Sequence, residues 1–105
     1  MVFVFEIKDK TDRIIHLSKE RLKHILRHPH MDENQLEIIK DTIINPMTIR
    51  YFEEDEYVRY FYKHFKNNPS EERYLLVSVK YLNGEGFIIT SFFTDKITGI
   101  KWQMK

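Results

Sequence analysis

Three histidines and three fixed cations crowd into residues 21–31, Arg21-Leu22-Lys23-His24-Ile25-Leu26-Arg27-His28-Pro29-His30-Met31. Imidazole both accepts and donates a proton near neutrality, so two accessible histidines can supply the base and the acid of one reaction. Guanidinium matches phosphate oxygens with its planar fork. Together these groups suit chemistry on a phosphodiester. On a 3.6-residue helix Leu22, Ile25 and Leu26 fall on one side as a core stripe. His24 and His28, four apart, are neighbours on the other side, with Arg21 beside them and Arg27 nearer the flank. A solvated basic helix face would carry the same residues, so this segment alone leaves both readings open.

The His24/His28 spacing is also that of two zinc ligands on a helix. A third ligand would have to be His30 or Asp32, and the glutamate of the zinc-protease motif is absent because Ile25 follows His24. Further candidates lie in alternating segments. In Tyr60-Phe61-Tyr62-Lys63-His64 the pleat sends Tyr60, Tyr62 and His64 to one face, and Phe61, Lys63 and Phe65 to the other. Lys80 shares a face with Ser78, Leu76 and Tyr74. A lysine deep in a strand must reach water or an anion, so Lys80 marks either the open face of a sheet or a functional groove. Thr90 and Ser91 interrupt the apolar run of residues 87–93 and point to opposite faces, one with Ile88 and one with Ile89. No Gly-rich phosphate loop, G-x-S-x-G elbow or paired-carboxylate motif is present, and three glycines, Gly84, Gly86 and Gly99, argue against a nucleotide-cradling loop.

The elements that must position these groups can be read from pattern and punctuation. Residues 2–8 read as a strand ending in a turn cluster, with residues 13–17 as its hairpin partner. Ser18 is a good N-cap for a first helix that runs to about His28, where Pro29 stops it. Asp32 caps a second helix over 33–44, with Leu36, Ile39 and Ile43 at core spacing, and Asn45-Pro46 ends it. Strands follow at 48–53, 57–65, 73–82 and 87–93. Asn83-Gly84 signals a hairpin, loosened by Gly86. The expected fold is α+β: an N-terminal β-hairpin and two helices, followed by an antiparallel sheet of about four strands.

At 105 residues the chain is expected to form one domain over 1–105. A 42% apolar and 31% charged composition is that of an ordinary globular protein and excludes a disordered one. A net charge of +1 excludes a histone-like polycation, yet the charge is uneven: Lys19, Arg21, Lys23 and Arg27 face only Glu20 in one stretch, and Glu53, Glu54, Asp55 and Glu56 form an acidic run. A local basic face can bind nucleic acid without an extreme pI. The absence of cysteine removes disulfides and thiolate chemistry. No stretch approaches the ~18 apolar residues of a membrane span and no leader is evident, so the expected location is cytoplasmic.

These residues recur in a familiar order. His24-Ile-Leu-Arg27-His28-Pro29, then Asn45-Pro46, Tyr62-Lys63, Tyr74-Leu-Leu-Val-Ser-Val-Lys80, Phe87-Ile-Ile-Thr90-Ser91-Phe92 and Trp102 resemble small phage- and toxin-associated nuclease domains of the Barnase–EndoU–colicin–RelE-like (BECR) group. The resemblance spans residues 17–102 and treats the N-terminal hairpin as incidental. It implies a metal-independent endoribonuclease without cofactor, acting on RNA such as tRNA or mRNA. The implied setting is a toxin–antitoxin or phage-defence pair with a small antitoxin protein as partner and no membrane. By position, catalysis would fall on His24, Arg27, His28, Lys80 and Thr90, and substrate binding on Lys23, Lys63, Tyr62 and His30. Relatives often carry glutamate where His30 stands; if that glutamate is a base in the group, the resemblance implies either that His30 replaces it or that the activity is altered. In this reading one histidine deprotonates a 2′-OH and another protonates the leaving oxygen. Arg27 and Lys80 hold the phosphate, Thr90 donates a hydrogen bond, and Tyr62 or Tyr74 stacks a base. The alternative is a non-catalytic RNA- or protein-binding module on the same fold.

Overall fold

The structure, a computed structural model, describes residues 3–102. In chain order it contains β1 (Phe3–Lys8), β2 (Ile14–Ser18), α1 (Lys19–Ile25), α2 (Leu36–Ile44), β3 (Thr48–Phe52), β4 (Asp55–His64), β5 (Tyr74–Leu82), β6 (Glu85–Thr94) and β7 (Ile100–Lys101), with 3₁₀ turns at Glu33–Gln35 and Ser70–Glu72. Val2, the expected start of the first strand, lies outside the described residues.

The fold is α+β as expected, but the sheet is larger than four strands and mixed. Seven strands run in the order β1-β2-β6-β5-β4-β3-β7. The hairpin β1–β2 joins the others because β2 pairs in parallel with β6 at Ile15↔Gly86 and His16↔Phe87, while every other pairing is antiparallel. A parallel contact of two residues far apart in sequence leaves no local pattern to read. β7 is equally silent, a two-residue strand laid on β3.

α1 and the 3₁₀ turn that leads into α2 begin where the capping residues stand. Ser18 Oγ accepts from Arg21 N at 3.2 Å. Asp32 accepts from Asn34 N at 2.8 Å while Gln35 accepts from Asp32 N at 2.6 Å, a reciprocal cap. The second expected helix, 33–44, divides into a 3₁₀ turn and α2. α1 ends at Ile25, three residues short of the expectation. Tighter bonds carry the turn onward, Arg27 N to His24 O at 3.2 Å and His28 N to Ile25 O at 3.0 Å, because Pro29 disfavours regular helix at the residue before it. Ile25, Met31, Ile39 and Ile43 pack on Ile15, Leu17, Phe61, Leu75, Val77, Val79 and Ile88 to make the core. Leu22 and Leu26 are only half-buried, so Ile25 carries the α1 stripe.

Two backbone devices shape the other face of the sheet. Ser78 pairs with Thr90, but Val79 pairs with Ile88, so Ile89 is an extra residue in β6, a β-bulge. Strict alternation would put Thr90 on the core side with Ile88. The bulge turns Thr90 to the face of Ser78 and sends Ser91 to the core, where its Oγ donates to Leu76 O at 2.8 Å. Beyond β6, the link to β7 crosses from one part of the sheet to its edge. Thr98 N and Oγ1 lie 3.4 and 3.5 Å from Tyr62 Oη, so this strap covers the Tyr62 end of that same face.

The hairpin turn is Asn83-Gly84 alone, with φ of 55° and 82° as a two-residue turn of type I′ requires. Gly86 does not loosen it. A Cβ on Gly86 would stand 2.4 Å from Ile15 Cδ1 and 2.8 Å from Val79 Cγ1, both within the core, so glycine is what allows β2 to lie against β6. Gly86→Ala is therefore expected to lower unfolding stability by about 1–3 kcal/mol through overpacking, measured by urea denaturation. An unchanged midpoint would show that the junction yields without cost.

Candidate active site

Residues directly opposite one another across antiparallel strands share a face. By register Arg50 pairs with Tyr60, Tyr60 with Ser78, and Ser78 with Thr90, so these four form one line across β3, β4, β5 and β6. His28 completes it from the exit of α1, its Nε2 3.1 Å from Thr90 Oγ1. The His28 ring also packs at 5.1 Å from Phe92, the next residue of β6 on this face, and His24 meets it edge-on at 5.6 Å. His24 is exposed and His28 half-buried. Helix exit and sheet thus meet at one hydrogen-bonded point.

The next line along the sheet is Val58, Lys80 and Phe87, with His16 paired to Phe87. Lys80 stands two residues from Ser78, roughly 7 Å along the strand. With Arg21 it lines an open hollow of about 340 Å³ whose walls include Ser18, Phe87 and Ile89. His16 forms the hollow's inner wall. It is 5% exposed, lies between the rings of Phe3 at 4.6 Å and Phe87 at 5.0 Å, and its Nε2 is 2.8 Å from Glu85 Oε1. Glu6 Oε2 approaches Nδ1 to 2.6 Å, but at an angle that makes no hydrogen bond.

Two members of the long line are fixed from outside it. Arg50 donates from Nε to Thr48 Oγ1 at 3.2 Å and from Nη1 to Gly99 O at 3.3 Å. Tyr60 packs edge-on to Phe52 at 5.3 Å. Burial, with the nearby Tyr62 and Asp55 adding to it, pushes the Tyr60 phenol above its ordinary pKa. Tyr60 is therefore held protonated, as a neutral donor.

Of the residues singled out from the sequence, the structure brings together His24, His28 and Thr90, and sets Lys80 on the same face beside Arg21. Others fall elsewhere. Lys63 lies on the opposite face, as its alternation required, where its ammonium pairs with Asp41. The hydrogen bond from Lys63, then that from Asn45, holds the Asp41 carboxyl below its usual range. Tyr62 is on the right face but 2% exposed beneath the strap, so it offers no ring to a base. His30 adopts φ 63° and turns its Nε2 to Glu72 Oε2 at 3.1 Å, not to His28. Lys23 and Arg27 are exposed on the outer side of the helix and its exit, without a side-chain hydrogen bond or ion pair among the described residues. Tyr74 packs at 5.3 Å from His64, beyond the His28 line. Among the described residues no three His, Cys, Asp or Glu side chains cluster as a metal site, so the three-histidine ligand set finds no support in the arrangement.

Arg50, Tyr60, Ser78 and His16 carry no site role in the sequence reading. Alternation places Tyr60 and Ser78 on their faces, but only the pairing register aligns them. For His16 a signal existed: one polar residue inside Ile14-Ile15-His16-Leu17 asks for a partner.

The family model described as phage-Barnase-EndoU-ColicinE5/D-RelE like nuclease2 matches residues 5–104. No curated protein and no solved structure matches the chain significantly. The match begins within β1, so the N-terminal hairpin belongs to the matched domain and is not incidental to it.

Because His28 packs at the rim and Ile25 is fully buried, their truncations separate function from folding. His28→Ala is expected to cost under about 1 kcal/mol, within the usual range for a surface site, and Ile25→Ala about 2–5 kcal/mol. Thermal and urea unfolding read both, and a His28→Ala loss as large as that of Ile25→Ala would make His28 a packing residue.

Proposed function

The chain belongs to the phage-Barnase-EndoU-ColicinE5/D-RelE like nuclease2 family, and from that premise we propose that it is an endoribonuclease that cleaves RNA by attack of the 2′-OH on the adjacent phosphate. The observation that carries this reading is the His28–Thr90 contact, which fixes an imidazole over a sheet face bearing Lys80, with Arg21 alongside.

Three tasks must be met: deprotonate the 2′-oxygen, stabilise charge on the pentacoordinate phosphorus, and protonate the departing 5′-oxygen. Thr90 holds His28 by Nε2, which fixes the ring, and Nδ1 is the nitrogen that exchanges the proton with substrate. His24, one ring away, is the second proton carrier. The P–O bond to the 5′-oxygen breaks as the 2′-oxygen bond forms, and the products are a 2′,3′-cyclic phosphate and a 5′-hydroxyl. Lys80 and Arg21 neutralise the phosphate, and the protonated Tyr60 phenol donates to a phosphate oxygen without contributing charge. Arg27 and Lys23, at the outer edge, add attraction at longer range. No metal enters this route. Its cellular setting, in this proposal, is the cytoplasm, as the toxin of a toxin–antitoxin or phage-defence pair restrained by a small protein antitoxin.

Purified protein incubated with single-stranded RNA or bulk tRNA should cleave it, and His28→Ala should lower the rate by on the order of 10²–10⁴. Lys80→Ala should lower it by about tenfold or more, the loss of one charge-assisted hydrogen bond. Excess chelator should leave the rate unchanged. Products ending in a 3′-hydroxyl, or activity abolished by chelator, would reject transesterification. An intact, folded wild type that cleaves no RNA would move the assignment to a binding module.

A further inference from the structure

On the face of the sheet opposite Tyr60 and Thr90, past the end covered by the helices, a groove runs between the β1–β2 turn and β7. Two arginines form its centre. The Arg59 guanidinium lies over the rings of Tyr51 at 5.6 Å and Trp102 at 5.5 Å, and Arg13 lies over Tyr81 at 5.2 Å. From this centre, Arg13 and Tyr81 continue into a hollow of about 340 Å³ bounded by Tyr57 and the Asn83-Gly84 turn. In the other direction Ile49 and Trp102 continue into one of about 280 Å³ flanked by Lys10 and Lys101. Tyr57, at one end, is 60% exposed.

Arg59 feels the charge of Glu56 and donates from Nη1 to the backbone carbonyls of Glu56 and Val58, which leaves the rest of its fork and all of the Arg13 fork without a hydrogen-bond partner among the described residues. Neither arginine forms an ion pair among the described residues. The Asp9 carboxylate beside Tyr81 is already engaged: Oδ1 accepts from Thr11 N at 2.7 Å, Thr11 Oγ1 at 2.7 Å and Arg13 N at 3.1 Å, and Oδ2 accepts from Tyr81 Oη at 2.5 Å. Burial foremost, with the charge of Arg13 contributing, holds Arg59 below its ordinary pKa. A guanidinium stacked between rings keeps its fork rigid, and rings at both ends of the arginine pair offer flat surfaces to bases. An acidic peptide would satisfy the arginines but make no use of the rings. Leu82 borders both this groove and the Lys80 hollow, so the two faces are connected around the β5–β6 turn.

We propose that this second groove binds single-stranded nucleic acid, phosphates on Arg13 and Arg59 and bases against Tyr57 and Trp102, as a track for the segment of RNA flanking the bond held at Lys80. That the strand is RNA rests on the nuclease reading; that the groove takes a nucleic-acid strand does not.

Trp102 is the sole tryptophan, so its fluorescence reports on the groove alone. The full chain is titrated with a short oligothymidylate, which has no 2′-OH and cannot be cleaved by the proposed route. Quenching is expected, with an affinity that falls with salt at a slope of about −1.4 if two phosphates are met. Arg13→Gln, at an exposed position that leaves folding intact, should weaken it about tenfold or more. Lys101→Gln should weaken it as well, and His28→Ala should leave it unchanged. Absence of quenching, or quenching abolished by His28→Ala, overturns the groove. So does a polyglutamate peptide that quenches equally and displaces the oligonucleotide, which would make the occupant an acidic protein segment. Quenching by a chain that cleaves no RNA upholds the groove and defeats the nuclease reading, and cleavage without quenching does the reverse.

Discussion

One extra residue in β6 decides where the chemistry can be. Ile88 belongs to the core and Ile89 is spare, so Thr90 emerges on the face where Ser78 and Lys80 already stand. Without that bulge Thr90 would face the helices, and His28 would have no sheet partner. Bulges bend a strand and re-aim its side chains, and they recur beside active sites. Here the bulge couples a helix exit to a sheet face through a single 3.1 Å contact.

The charge distribution follows a related logic. Three other lysines are paired, Lys8 with Asp12, Lys40 with Glu37 and Lys63 with Asp41, whereas Lys10, Lys19, Lys66, Lys96 and Lys101 have no ion pair among the described residues. Exposed pairs of this kind contribute little to stability, but they remove cations from competition for a ligand. Lys80 and Arg21, like Lys23 and Arg27, have no ion pair among the described residues and keep their attraction for an incoming phosphate. A net charge of +1 therefore hides a strongly local field.

Local rules made much of the scaffold legible. Ser18, Pro29, Asp32 and Asn83-Gly84 act through near neighbours, and each stands where its chemistry placed it. Alternation gave Lys80, Tyr60 and Lys63 their faces for the same reason. What stayed hidden depends on contacts between distant segments. The Ile15–Gly86 junction, β7 on β3, and the strap that buries Tyr62 have no periodic signature. The bulge at Ile89 is hidden too, because Ile-Ile-Thr is as good a regular strand as a bulged one. So the sequence identified His24, His28, Lys80 and Thr90 as candidates, but it could not say that Thr90 would meet His28, that Arg21 and not Arg27 would stand by Lys80, or that Lys63 would be bound to Asp41.

The proposed reaction turns on attack by the 2′-hydroxyl of the substrate itself. An oligonucleotide of deoxyribose units with a single ribose in the middle tests it directly, with the cut position and the 3′ end read by mass spectrometry. One cut is expected, 3′ to the ribose, leaving a 2′,3′-cyclic phosphate there, and none in the all-deoxy control. Cleavage of the control, or cuts at positions away from the ribose, would contradict it.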